Sequence, residues 1–310
     1  MKNKLIGTIS VDVDTFEDIF KSSFTVIEKN YHCDEFTEGL NNLNIFLKRY
    51  QIKATLFCVG QDLRWPANQK IVKNLYRSGY EIASHTMHHA QGLRLLTTKQ
   101  KIDEIAQFEK TYRSIFKCTP VGFRSPGWNI DDSVISILVK RGYKYDSSLF
   151  PTSLTPLMKL LHFNAMKHRS FPDRTTLGSM KYIIYPTKPF RTSKDKLSPG
   201  KNGLIEFPVS VTPIWRFPIF ATGLFKFGVD NFSRQIKSYS QAGYPLQFML
   251  HLFDFVDFKS QKYKPFIHSI QGEYTAQSTQ MSLTQKLMIL KNAFDIMTRE
   301  YIFKPYRDRL

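Results

Sequence analysis

The sequence predicts an α/β protein, a distorted TIM-like (β/α)7 barrel in a single domain. Three observations lead there. Seven short β-type runs recur along the chain, and amphipathic stretches with apolar spacing near 3.6 follow most of them. Ionisable residues also collect at the C-terminal ends of successive runs, where barrels of this type place their chemistry. Strand–helix alternation implies parallel strands with crossover helices. Seven strands in about 250 residues suit such a barrel short of one strand. An open doubly wound sheet is the alternative reading of the same rhythm.

The elements follow in order. The first run, LIGTISVDV at 5–13, carries Asp12 and leads straight into Asp14, and an amphipathic stretch follows at 36–50. ATLFCVG at 54–60 precedes a helix over 66–78, and YEIASH at 80–85 precedes one over 97–116. PVGFRS at 120–125 leads to a helix over 131–141, where Asp131-Asp132-Ser133 makes an acidic first turn and Gly142 stands past the end. YKYDSS at 143–148 is the fifth run. Residues 151–203 then break the rhythm with MKYIIYP and the basic FRTSKDKLSPGKNG, which reads as an insertion or lid, partly mobile. LIEFPVSV at 204–211, a helix over 229–242 and PLQFMLH at 245–251 restore it, and 282–301 reads as a closing helix. No repeat or linker divides the chain, so one domain covers 1–310, with its core at about 5–255.

Composition narrows the partners. Of 310 residues, 44 are basic and 26 acidic, a net charge of +18. That favours an acidic polysaccharide, an anionic membrane surface or nucleic acid. No arginine-rich helix or RNA-binding signature is present, so nucleic acid is not expected. Cys33, Cys58 and Cys118 form no metal-type pair and no disulfide framework, and Cys58, inside an apolar run, reads as core. The first apolar stretch is interrupted at Asp12, too early for a signal peptide, and no run reaches the ~18 apolar residues of a membrane span. These features read as a cytoplasmic protein, with peripheral contact at the inner membrane face as an option.

The chemistry concentrates in S-V-D-V-D-T-F (10–16) and S-H-T-M-H-H (84–89). Two imidazoles and one carboxylate are the ligand set of an open catalytic zinc site. Asp14, His85 and His89 supply it, although His88 competes with His89 and spacing alone does not decide between them. Cobalt, nickel or iron would accept the same donors. This is not the H-E-x-x-H helix, because Thr86 holds the Glu position. Asp12 lies two residues before Asp14, on the same face of an ideal strand, and is placed to take a proton from water activated by the metal. Arg124 offers a fork for a carboxylate, with Pro126 and Gly127 making the turn after it. Asp146 is a candidate to orient a histidine. His251, at the end of QFML, is a candidate acid for a leaving group.

These stations, in this order, resemble the polysaccharide deacetylases of carbohydrate esterase family 4, the NodB-homology fold. The family's T-F-D-D is similar to S-V-D-V-D here, with one residue inserted between the aspartates. H-[ST]-x-x-H is matched at 85–89, which assigns His89 rather than His88. R-S-P-G-W at 124–128 and Asp146 to Pro151 resemble the third and fourth motifs, and the fifth, Leu-x-His in many members, appears as M-L-H at 249–251, with leucine directly before His251. The resemblance implies a divalent metal, most readily zinc, on Asp14, His85 and His89, with Asp12 as base and Arg124 steadying it. It implies that His251 protonates the leaving amine and that Asp146 tunes His251. The activity implied is hydrolysis of the N-acetyl amide of an amino sugar, in a polysaccharide or a lipid-linked glycan precursor, releasing acetate. I-E-F-P-V-S-V followed by F-A-T-G-L-F-K-F resembles a subgroup linked to exopolysaccharide and envelope glycan synthesis. V-D-V-D-T-F also resembles the lipid-linked formamido-sugar deformylases, which makes formyl removal the alternative. A cyclic-amide hydrolase of this fold is weaker, and a non-catalytic glycan-binding relative is disfavoured because all three ligands are present. Trp128 and Trp215 are candidates to stack on sugar rings, with core packing the default for both.

Overall fold

The seven apolar runs become the parallel strands of one curled sheet. The computed structural model describes residues 4–20, 34–165, 178–263 and 277–310, so Cys33 and residues 166–177 of the insertion lie outside the described residues. The strands are β1 (Leu5–Val13), β2 (Thr55–Cys58), β3 (Glu81–Ser84), β4 (Gly122–Phe123), β5 (Tyr145–Asp146), β6 (Phe190–Arg191), β7 (Ile205–Glu206), β8 (Leu246–His251) and β9 (Tyr301–Phe303). The sheet order is β6-β7-β5-β4-β3-β2-β1-β8. Within it β6 alone runs antiparallel, and β9 extends the β2 side of β1. The helices are α1 (Phe16–Phe20), α2 (Asp34–Lys48), α3 (Pro66–Arg77), α4 (Thr98–Phe116), α5 (Asp132–Lys140), α6 (Thr155–Ala165), α7 (Ala221–Gln241) and α8 (Leu283–Glu300).

Local chemistry explains the helix ends. Thr97 and Gln100 form a reciprocal capping box on α4, and Ser282 and Gln285 form one on α8. Asp131 caps α5 by accepting from the Val134 N–H, and Gly142 turns the chain afterwards at φ 86°. α7 comprises two helical pieces. Gly228, non-helical at φ 79° and ψ 169°, kinks the chain, so the helix expected over 229–242 is the second piece, and a short first piece from Ala221, with Leu224 and Phe225 buried, precedes it.

Alternation along β1 sorts the two faces. Ile9, Val11 and Val13 enter the main apolar core, which Leu43 of α2, Ile236 of α7 and Phe294 of α8 share. Thr8, Ser10 and Asp12 face the barrel interior, where Ser10 and Asp12 meet Arg124 and Thr8 meets Arg309. Between β7 and β8 no strand ladder forms among the described residues. Ser210 bridges the gap: its Oγ accepts from the Gln247 N–H at 2.8 Å and from the Tyr239 hydroxyl at 3.1 Å. Phe150, Val209, Val211, Phe220 and Met249 fill the space beside it. This seam is the distortion of the barrel.

Two segments depart from expectation. Residues 151–203, read above as a partly mobile insertion, are folded in their described parts. α6 escapes periodicity because TPLMKLLHFNA is apolar on nearly every side. Residues 190–203 fold back as β6 and a Thr192–Pro199 bridge, with Leu197 buried and its N–H donating to Asp132. The chain end, beyond the expected closing helix, also enters the barrel. The Tyr306 ring packs on Phe57, Tyr145 and Phe207, and its N–H donates to Thr55.

Candidate metal centre and active site

The site lies at the C-terminal ends of the strands. Asp12 and His251 are register partners on adjacent parallel strands, so both side chains leave the sheet on one side. Asp14 is the second residue past Asp12 and shares that side. His85 follows β3, and the chain reverses through left-handed backbone at Thr86 (φ 65°) and His89 (φ 53°), which brings both rings inward. Glu104 of α4 holds this turn by accepting from the Met87 and His88 N–H groups.

Each imidazole is oriented from behind. His85 Nδ1 donates to the Arg124 carbonyl at 2.8 Å, and His89 Nδ1 donates to the Asp18 carbonyl at 3.0 Å. Both Nε2 atoms are thereby left as acceptors facing Asp14. They lie 3.4 Å (His85) and 3.7 Å (His89) from Asp14 Oδ1. A tetrahedral zinc with bonds of about 2.1 Å sets ligand atoms about 3.4 Å apart. Asp14 Oδ1 is buried without a hydrogen-bond partner, and the three donor atoms lie within 4.8 Å of one another. Burial, with Asp12 and Asp18 nearby, pushes the Asp14 carboxyl well above the usual carboxylate range, a cost that a cation removes. Burial pushes His85 down to about 3, so its ring is neutral and able to ligate. The residues therefore fit a divalent metal. His88 turns away onto Glu104, which resolves the 88/89 ambiguity in favour of His89.

Arg124, 1% exposed, is fully engaged. Nη1 donates to Asp12 Oδ1, Nη2 to the Ser10 and Ser147 hydroxyls, and Nε to the Ser147 carbonyl. Its guanidinium also lies 4.1 Å from the centre of the Phe57 ring. Burial would raise the Asp12 carboxyl, but Arg124, His85 and His251 outweigh it and hold the group below its ordinary value, hence ionised.

The sequence reading placed Asp146 on His251, and the structure arranges these residues differently. Asp146 accepts from the Ser148 hydroxyl and N–H and pairs with the Glu206 carboxyl. Burial and Asp146 push Glu206 well above the usual range, so the pair shares a proton. The residue on His251 is Asp254. Its Oδ2 accepts from the His251 N–H at 2.9 Å, and its own N–H donates to the His251 ring. In the neutral imidazole the other ring nitrogen then carries the proton. Lys286 of α8 anchors this turn, donating to the Phe253 and Val256 carbonyls, and burial lowers its pKa to about 8. Asp18 escaped the sequence reading because its carbonyl meets His89 from 71 residues away, and Asp254 because it serves His251 through local turn geometry. The one available signal was an acid three residues after His251.

Asp12, Asp14, His85, His89, Gln91, Ser125, Gly127, Trp128 and His251 line one pocket, which unites every predicted site residue except Arg124, beneath it, and Asp146. Gly127 sits in the Pro126–Trp128 turn, where the proline has no N–H, the Trp128 N–H donates to the Ser125 carbonyl at 3.2 Å, and the Gly127 N–H comes too early to bond within the turn. Trp128 stacks at 4.7 Å on Phe150, so it forms a wall. Trp215 lies away from the pocket and is 70% exposed.

Residues 26–145 match the family model described as Polysaccharide deacetylase. Over 118 residues the chain is 27% identical to the peptidoglycan deacetylase of Helicobacter pylori, covering 38% of this chain and 39% of that protein. Over 98 residues it is 33% identical to the peptidoglycan-N-acetylglucosamine deacetylase of Bacillus cereus, covering 32% and 44%. The chain thus spans less than half the length of these curated relatives. Among solved structures, one from Mycobacterium smegmatis named for the polysaccharide deacetylases superposes with a TM-score of 0.54 at 14% identity, over 98% of this chain and 94% of that one. An allantoinase superposes at 0.56 and 10% identity, over 98% and 88%. Both likenesses concern the fold. Seven of the parallel strands form the distorted (β/α)7 barrel expected, and the sequence match covers the stretch that supplies His85, His89 and Arg124: over residues 26–145 the chain is similar to the polysaccharide deacetylases.

Proposed function

We propose that the protein is a metal-dependent N-deacetylase of amino sugars. The observation that carries this reading is the unpartnered Asp14 Oδ1 facing two preoriented imidazole nitrogens, with an ionised Asp12 beside them. Asp14, His85 and His89 would hold a divalent ion, most readily zinc, which would supply a Lewis acid for an acyl oxygen and lower the pKa of water to about 7. Asp12, pinned by Arg124, takes the proton from the attacking water. The Gly127 N–H is available to the oxyanion that develops on the acyl carbon's oxygen. His251, entering this step as an imidazolium, gives one proton to the leaving nitrogen as the C–N bond breaks, and the proton taken by Asp12 is then released to solvent, from which His251 is reprotonated. Acetate and a free amino sugar result. Trp128 offers an apolar wall to the sugar ring.

The substrate proposed is an N-acetylated glycan, as the names of the peptidoglycan deacetylase relatives support, either as polymer or as a lipid-linked precursor. Elemental mass spectrometry of the wild type and a His85→Ala/His89→Ala variant, followed by assay of acetate release from acetylated amino sugars, tests the reading. About one metal per wild-type chain, none in the variant and acetate from the wild type alone are expected. Acetate release that persists in the variant would overturn it. Formate from formylated sugars, with no acetate, would transfer the reading to deformylation.

A further inference from the structure

Three segments at the active-site end of the barrel expose large apolar side chains together. Residues 211–218 form a hairpin, closed by a Val211–Pro218 bridge and turned by Arg216 at φ 51°. Its tip presents Ile214, 83% exposed, and Trp215, 70% exposed. Arg216 Nη1 donates to the Ile183 and Tyr185 carbonyls and so joins the hairpin to the Met180–Ile184 turn, where Ile184 is 79% exposed. The Ser153 hydroxyl donates to the Trp215 carbonyl at 2.5 Å, and Thr152 to that of Arg216 at 2.9 Å. These bonds join the start of α6, with Leu157 and Leu160 exposed, to the same patch. Soluble surfaces rarely hold exposed apolar tips together by dedicated hydrogen bonds unless the tips meet something.

The patch lies at the end of the barrel that carries the metal centre. Residues 152–160 follow β5 and the hairpin follows β7, both leaving the C-terminal ends of strands. The Tyr182 hydroxyl donates to the Ile130 carbonyl, two residues beyond the pocket wall Trp128.

Its charge is one-sided. The described stretches 152–165, 178–194 and 207–229 contain no Asp or Glu, whereas Lys159, Lys181, Lys188, Arg191, Arg216 and Lys226 fall within them. Aliphatic tips with a tryptophan, on segments that carry cations and no acids, match an anionic bilayer interface. A glycan surface would present flat rings with polar partners, and Ile184 and Ile214 offer neither.

We propose that this patch seats the protein on an anionic lipid bilayer, with Ile184, Ile214 and Trp215 entering the headgroup region. This rests on the metal centre being the active site, and it sets that site to work on glycan at a membrane surface. The test is co-sedimentation of the purified protein with vesicles of phosphatidylcholine alone or mixed with phosphatidylglycerol, for the wild type and an Ile184→Ser/Ile214→Ser/Trp215→Ser variant. The wild type is expected to partition onto the mixed vesicles and to weaken with salt, and the variant to partition about tenfold less or lower still. Metal content and thermal midpoint should be unchanged. A wild type that ignores mixed vesicles overturns the proposal, as does a variant that binds them equally well. A wild type that self-associates without lipid through the patch, while the variant stays monomeric, overturns it in favour of a second copy of this chain. Unaltered vesicle binding with lost hydrolysis of a soluble acetylated oligosaccharide overturns it in favour of a glycan site. Binding needs no turnover, so a wild type that sediments with vesicles but releases no acetate supports the patch and sinks the deacetylase reading.

Discussion

Arg124 Nη1 lies 2.6 Å from Asp12 Oδ1, and both side chains are buried. The Arg124 carbonyl also accepts from His85 Nδ1, so one arginine positions both the proposed base and a proposed metal ligand. Removing its charge leaves Asp12 buried without a partner, which costs about 3–5 kcal/mol in comparable pairs. Arg124→Met should therefore lower the thermal midpoint and reduce kcat/KM by about 100-fold or more. Calorimetry and steady-state kinetics at a temperature where the variant is folded measure the two effects. A stable, fully active variant would show that the ion pair supports neither fold nor chemistry.

Asp12→Asn separates proton transfer from metal holding. The amide cannot accept the proton, yet it still offers an oxygen to Arg124. Turnover should fall about 100-fold or more while bound metal per chain stays at the wild-type level. Metal loss in this variant would mean that Asp12 is a ligand rather than the base, and unchanged turnover would remove it from the reaction.

The sequence made the strand ends and the metal set legible for physical reasons. Buried parallel strands are mostly apolar and carry few ionisable groups, so Asp12 and His251 stand out where such runs stop. The seam at Ser210 and the Tyr306 plug were illegible, because both depend on distant partners such as Gln247 and Thr55 that no local pattern announces. Asp146 was legible as a strand-end carboxylate, but not its partner. Asp146 and Glu206 are register neighbours on β5 and β7, a relation set by the insertion between those strands.

That carboxyl pair predicts a pH dependence of stability. Glu206 has a folded pKa well above its usual 4.5. It binds its proton more tightly when folded, so its contribution is fully present below about pH 4.5 and is lost as pH rises through the folded value. Glu206→Gln replaces the carboxyl with an amide of similar shape that still hydrogen-bonds, and removes the titration. Thermal midpoints measured from pH 4 upward, by calorimetry on the metal-loaded protein, should show the wild type losing stability relative to the variant as pH rises. Parallel curves would mean that Glu206 is ionised in the folded protein.

Asp254 and Asp146 make opposite predictions about His251. His251→Ala sets the ceiling, a loss of about 100-fold or more if the ring is the acid. The Asp254 carboxylate holds the His251 backbone, and through it the turn whose Asp254 N–H meets the His251 ring. Asp254→Ala removes the carboxylate and loosens that turn, so kcat should fall by about tenfold or more, with KM and bound metal little changed. Asp146 binds Ser148 and Glu206, so Asp146→Ala should act on stability, lowering the thermal midpoint while the folded fraction retains its kcat. Lys286→Met provides the linked case. It removes the donor to the Phe253 and Val256 carbonyls that frames Asp254, and its kcat should fall in step with Asp254→Ala rather than with Asp146→Ala. If Asp146→Ala instead lost kcat at full stability while Asp254→Ala kept it, His251 would be governed from β5, and the turn after β8 would be only a support.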